Sequence, residues 1–262
     1  MLTIDAVCRF LDEFAPPRLA EEWDNVGLLI GDRGRAVTKI MACLTATPAS
    51  AAEAVDEGAE LIVAHHPLPF RPLKRVTTDT TPGRLVWELA VGRVAVYSPH
   101  TAFDSAAAGI NQCLAEGIGL TDVQPLVPPE NEPTLGSGRF GAVVPSQSLA
   151  DVAGRLKQFL SIESVRCVGA AGKAIARAAV ACGSGGEFLH AAHRKGCDLL
   201  VTGEATFHGC LEAEALGVAL LLTGHYASER FAVERLAEVL ADEFPDLIVW
   251  PSRREHDPLG NL

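Results

Sequence analysis

Residues 39–66, KIMACLTATPASAAEAVDEGAELIVAHH, decide the fold. The run KIMACLTAT (39–47) is almost wholly apolar and short, which predicts a strand buried on both faces. Thr47-Pro48 then supplies a cap and a first-turn proline for an alanine-rich helix that ends at Gly58. A second apolar run, LIVA (61–64), follows at once. Two buried strands joined by one helix make a βα unit, the building block of a parallel sheet.

Working outward, the same grammar recurs. Upstream, Thr3 is placed to cap a helix whose apolar residues Ile4, Val7, Leu11 and Phe14 recur at helical spacing, and Pro16-Pro17 must stop it. Downstream come a helix at 82–90, a strand at 94–98 (VAVYS) and a helix at 105–117 (SAAAGINQCLAEG). Residues 122–134, DVQPLVPPENEPT, carry four prolines and little periodicity, as expected of a linker. Beyond it, strands are expected at 138–144, 164–168, 175–182, 198–203, 218–224 and 246–250. Helices are expected at 148–160, about 186–195, 207–216 and 228–243. The expected fold class is α/β, as two α/β domains of related grammar, an N-terminal one over 1–127 and a C-terminal one over 128–262.

Composition narrows the function classes. With 262 residues, 48% hydrophobic and 21% charged, the chain has ample apolar surface to fold. A net charge of -11 argues against a direct grip on nucleic acid, which needs clustered cations. The seven cysteines are odd in number, widely spaced and without a C-x-x-C pair, the usage of small buried residues in a reducing cytoplasm. MLTIDAVCRF lacks the pattern of a secretory leader, and no run approaches the roughly 18 apolar residues of a membrane span. A soluble cytoplasmic protein without a membrane partner is expected.

The chemistry is expected where strands end, because in open parallel sheets the ligand crevice lies beyond their carboxyl ends. His65 and His66 follow LIVA. His100 follows VAVYSP, with Asp104 four residues on. Glu204 follows DLLVTG, and His225 follows VALLLTG, with Glu229 four residues on. Singly, each has an ordinary structural explanation: a hydrogen-bonded histidine, an N-cap for the 105–117 helix at Asp104, or a first-turn acid at Glu229 with Ser228 as the cap. Together, imidazoles and carboxylates are a ligand set for Zn, Mn, Fe or a similar divalent ion. Because neighbours on an extended segment point oppositely, His65 and His66 can reach two different ions, or one can support the other's ion indirectly.

Other features are weaker. His190 and His193 share a polar, solvent-facing helix segment. The glycines of CGSGGE (182–187) offer backbone N–H groups to an anion or simply make a tight turn. No G-x-S-x-G elbow is present, and no cysteine has a local base, which disfavours a Ser or Cys nucleophile.

The segments EEWDNVGLLIGD (21–32), LIVAHHPLPFRPLK (61–74), VYSPHTAFDSAAAGINQCLAEGIGL (96–120) and LLVTGEATFHGCLEAEALGVALLLTGHYASER (199–230) carry HHP, H-T-x-x-D, TGE and GH-x-x-S-E in order. In these the chain resembles the Nif-three-like dinuclear metal-centre proteins, the GTP cyclohydrolase 1 type 2 homologues. The resemblance implies two α/β domains with a site for two divalent metal ions in the inter-domain cleft, and a homohexamer, a trimer of dimers. It implies His66 and Asp104 as ligands of one ion, His65 and His225 of the other, and Glu229 as the carboxylate bridging both, so that segments from about 225 onward serve the shared cleft. His100 and Glu204, also at motif positions, are candidates for catalysis or the surrounding cleft, and His208 either lines the cavity or has a structural role. Asp24 and Asn25 either belong to the site or form a turn packed under Trp23. Too few residues separate Leu120 from Leu199 for the domain inserted in some family members.

The function expected from the resemblance is a metal-dependent hydrolase of a small anionic molecule, in the manner of a GTP cyclohydrolase that opens the guanine imidazole ring and releases formate. A phosphoesterase or amidohydrolase is the alternative within enzymes, and a non-catalytic metal-binding scaffold or regulatory protein is the alternative outside them. An aromatic content of 6% leaves no purine pocket visible in the sequence.

Overall fold

The computed structural model describes residues 1–260. The chain begins with α1 (Ile4–Phe14), β1 (Gly27–Ile30), β2 (Lys39–Cys43), α2 (Pro48–Glu57), β3 (Leu61–Ala64), α3 (Thr81–Val91) and β4 (Ala95–Ser98). It continues through α4 (His100–Ser105), α5 (Ile110–Gly117), β5 (Thr121–Val127), β6 (Ser137–Ser148), α6 (Leu149–Leu160), β7 (Arg166–Val168) and β8 (Ala174–Ala181). Last come α7 (Leu189–Arg194), β9 (Leu199–Thr202), α8 (Phe207–Leu216), β10 (Ala219–Leu222), α9 (His225–Glu243) and β11 (Ile248–Pro251). The fold is α/β, with two sheets. No helix among the described residues is long and apolar enough to cross a membrane.

Two compact units emerge: Met1–Phe103 together with the segment from Ala232 onward, and Asp104–Phe231. The division expected at 127/128 differs from this one for a physical reason. Helix α5 and strand β5 pack with the second sheet, while β11, near the end of the chain, pairs with β2 in the first.

The first unit has a five-stranded sheet ordered β1-β4-β3-β2-β11. Its strands are parallel except β1, which adds an antiparallel edge to β4. The βα unit forms as its sequence demands. Thr47 and Ser50 make a reciprocal capping box, Pro48 opens α2, and Gly58 closes it with a left-handed φ of 71°. All four residues of β3 are buried, and Ile62 packs with Met41, Leu89, Val96 and Trp250. Thr3 occupies the N-cap of α1 without a side-chain hydrogen bond; its backbone bridges to Ala36 instead. The Glu53 carboxylate, 2% exposed, accepts from Trp250 Nε1, the Ser252 hydroxyl and the backbone N–H groups of Arg253 and Arg254, tying the end of the chain to α2.

The second unit has a six-stranded sheet ordered β5-β6-β8-β9-β10-β7, with β8, β9 and β10 parallel and the others antiparallel. Alternation along β9 covers both faces: Leu199 and Val201 pack with Leu114, Val152 and Leu156 of α5 and α6, and Leu200 packs with Leu189 and Ala213 of α7 and α8. Three local expectations change here. The helix expected at 105–117 begins only at Ile110, as α5, after a separate α4 that ends at Ser105, and Gly109 rather than Asp104 is its N-cap. The expected linker is in its first half β5, where Pro125 is tolerated because the strand lies at a sheet edge. Helix α9 starts at His225, so Ser228 is inside it and Glu229 sits one turn on.

Arg139 is 1% exposed. Its guanidinium donates to the backbone carbonyls of Gly136, Gly138, Ser105 and Ala106 and to Gln112 Oε1. It thereby closes the carboxyl end of α4 beside Asp104.

Candidate metal centre

In the first unit the carboxyl ends of the adjacent parallel strands β3 and β4 carry three histidines. The β2–β3 ladder continues past β3, with His65 N–H donating to Cys43 O and His66 N–H to Leu44 O, so both imidazoles hang from held, extended backbone. Ser98 at the end of β4 donates its hydroxyl to His65 O at 2.7 Å. The rings of His65 and His66 lie 5.0 Å apart, those of His65 and His100 5.3 Å, and those of His66 and His100 5.6 Å. One ring nitrogen from each of the three lies within 4.8 Å of the others. That is the spacing of donors around one cation, and imidazole suits the borderline divalent metals. His65 is buried, and His66 and His100 are half-buried.

Each of two rings is held from behind. Thr45 Oγ1 is 2.7 Å from His66 Nδ1, and Thr45 itself is fixed through its N–H by the Glu255 carboxylate at 2.6 Å. Asp24 Oδ1 is 2.7 Å from His100 Nδ1, while Thr101 donates its N–H and hydroxyl to Asp24 Oδ2. Burial opposes the charge on Asp24, but the hydrogen bonds from His100 and Thr101 outweigh it and hold the carboxyl at about 2. With Nδ1 engaged in each case, Nε2 is the ring nitrogen for a metal or a substrate. Asp24 therefore grips His100, while its Oδ1 also accepts from Asn25 N–H in the turn beside Trp23.

In the second unit the carboxyl ends of β8, β9 and β10 gather Cys182, Gly183, Glu204 and His225. His225 Nε2 is 3.2 Å from Glu229 Oε2 across one turn of α9, and its Nδ1 is 3.4 Å from Glu204 Oε2. The hydrogen bond to Glu229 raises the His225 pKa to about 9 against the effect of burial, with Glu204 adding to the rise. Asp104 accepts from the Cys182 thiol at 3.3 Å, and its backbone carbonyl accepts from Asn111, whose amide oxygen in turn takes the Cys182 N–H. Burial, then the charges of Asp104 and Glu229, push the Cys182 thiol well above its ordinary range, so it stays a donor.

The glycines of 182–187 serve this packing. A Cβ on Gly183 would overlap Glu229 Oε1. The Gly183 N–H is spent on Ser228 Oγ and its carbonyl on Glu204 N–H, so these groups make a turn and not an anion cradle. His208 is exposed at the start of α8 beside Phe207. His190 and His193 are exposed, and His190 pairs with Glu212 at 3.0 Å. Sequence reasoning missed Thr45 and Cys182 and left Asp24 undecided, because their partners lie 21, 78 and 76 positions away and no local period marks them.

The profile of the Duf34/NIF3 (NGG1p interacting factor 3) family matches residues 2–258. A Clostridium perfringens protein named GTP cyclohydrolase 1 type 2 homolog is 32% identical over 260 residues, 98% of each chain. The NIF3-like protein 1 of Drosophila melanogaster is 34% identical over 260 residues, 97% of this chain and 87% of that one. A crystal structure of a Bacillus cereus protein related to NIF3 shares the fold with a TM-score of 0.91 at 22% identity, covering 100% of this chain and 99% of that one.

Proposed function

The chain belongs to the Duf34/NIF3 family, and from that membership we propose that it is a metal-dependent hydrolase acting on a small anionic molecule. In this reading His66 and Asp104 would hold one divalent ion, His65 and His225 would hold a second, and Glu229 would serve both. The observation that carries it is the pair of adjacent imidazoles, His65 and His66, at the end of β3, each offering a ring nitrogen within 4.8 Å of the other and of His100. The Glu204 carboxylate behind His225 supports it in the second unit, since carboxylates that orient histidine ligands are the usual surroundings of such ions.

Two divalent ions, when bound, supply Lewis acidity that makes water a nucleophile at neutral pH and stabilises charge developing on oxygen. The chain's own residues do the rest. Asp24, ionised throughout the neutral range, orients His100 through its Nδ1, so His100 Nε2 is the candidate to give or take a proton. Glu204 keeps His225 in register from its Nδ1 side.

The relatives' name directs the first substrate to try. Formate release from GTP by Mn- or Zn-loaded protein is expected for the wild type and lost in Asp104→Ala; equal activity in both would overturn the assignment. A homohexamer in the cytoplasm completes the reading, and native mass spectrometry showing a different assembly would overturn that part alone.

A further inference from the structure

Beside His100 the first unit exposes aromatic rings that its core does not use. Trp23 is 62% exposed and Phe70 is 49% exposed. Their centroids are 6.0 Å apart, and each stands edge to face with the His100 ring, at 6.0 Å and 6.1 Å. Asn25 fastens the two segments together by donating its side-chain amide to Pro69 O at 2.9 Å. The rings are thus a fixed wall next to the imidazole triad, with both residues largely open to solvent. Directly after Phe70 the same loop carries Arg71, Lys74 and Arg75, all exposed and with no ion-pair partner among the described residues. In a chain with 33 acidic and 22 basic residues, three cations in five positions without a carboxylate are a local reversal of sign.

We propose that Trp23 and Phe70 stack a planar heteroaromatic ring and that Arg71, Lys74 and Arg75 take an anionic group attached to it. Aromatic side chains bind such rings through their faces and do so with little dependence on ring identity, while exposed cations add a salt-sensitive attraction for phosphate or carboxylate. The placement beside His100 sets this ring against the proposed catalytic groups. The inference rests on the hydrolase reading for its meaning, since it assigns the residues that recognise the substrate of that same site, but its test does not depend on metal.

The full chain, stripped of metal by a chelator, is titrated with GMP, guanosine and ribose 5-phosphate, with binding read by tryptophan fluorescence and calorimetry. GMP is expected to bind about tenfold or more tightly than either fragment. Trp23→Ala should abolish binding of GMP and guanosine alike, and Trp23→Phe should restore most of it. The double variant Lys74→Ala/Arg75→Ala should weaken GMP and leave guanosine unchanged. All these positions are exposed, and thermal melting verifies folding. Ribose 5-phosphate binding as well as GMP, or Trp23→Ala binding GMP like the wild type, would overturn the proposal. So would a Trp23→Ala change confined to oligomeric state, which would make the wall an interface between copies of this chain. Metal content, measured separately on reloaded samples, shows whether the metal reading stands or falls independently.

Discussion

Asp24 Oδ1 lies 2.7 Å from His100 Nδ1, although the two residues are 76 positions apart in the chain. The pair joins the loop before β1 to the first turn after β4, and its carboxylate is fully buried. Its protonation therefore bears on stability as well as chemistry.

Because the folded pKa of Asp24, about 2, lies below the ordinary unfolded value near ~3.9, the carboxylate contributes stability above pH ~4 that is lost as pH falls toward 2. The contribution is about 2 kcal/mol at neutral pH. Urea unfolding of wild type and Asp24→Asn should show a gap that closes between pH 4 and pH 2. A gap independent of pH would sink the idea.

The same sign applies to Glu53, whose pKa is lowered because its hydrogen bonds from Arg253, Ser252, Arg254 and Trp250 outweigh burial. Glu53→Ala strands buried donors at the end of the chain and should cost about 3 kcal/mol. Denaturant midpoints measure this, and hydrogen exchange should report opening at 250–254 first. A loss below about 1 kcal/mol would show that water replaces the carboxylate without penalty.

Arg139→Lys is expected to behave like a loss rather than a conservative change. An ammonium has three donors and no fork, and it cannot serve five acceptors arranged around a guanidinium. The melting temperature should fall, and metal occupancy should fall with it because Ser105 and Ala106 flank Asp104. Occupancy equal to that of the wild type would separate the clamp from the site.

Metal analysis of protein purified without chelators should find up to two ions per chain. Glu229→Ala is expected to lose both, whereas Thr45→Val, which only frees the back of His66, should weaken affinity by about 10- to 100-fold without abolishing it. Full stoichiometry and affinity in both variants would remove the proposed ligand set.

What could be read from the amino acids follows the range of the forces involved. The βα unit at 39–66 was legible because a capping box, a first-turn proline, a left-handed glycine and two apolar runs all act within a few residues. The strand at Pro125 was not, since it depends on which sheet edge the chain meets. The positions of His65, His100, Glu204 and His225 after strands were legible for the same local reason, as parallel strands must end somewhere and polar residues mark the end.

The sequence by itself determined the alternation of strands and helices, the family and the residue types offered at the strand ends. Only the tertiary structure decided which groups stand behind them: Asp24 on His100, Thr45 on His66, Cys182 on Asp104, and Trp23 with Phe70 as an exposed wall. Those contacts join distant parts of the chain, so they exist only after closure has brought separate elements to one place, and no propensity or period along the backbone encodes them.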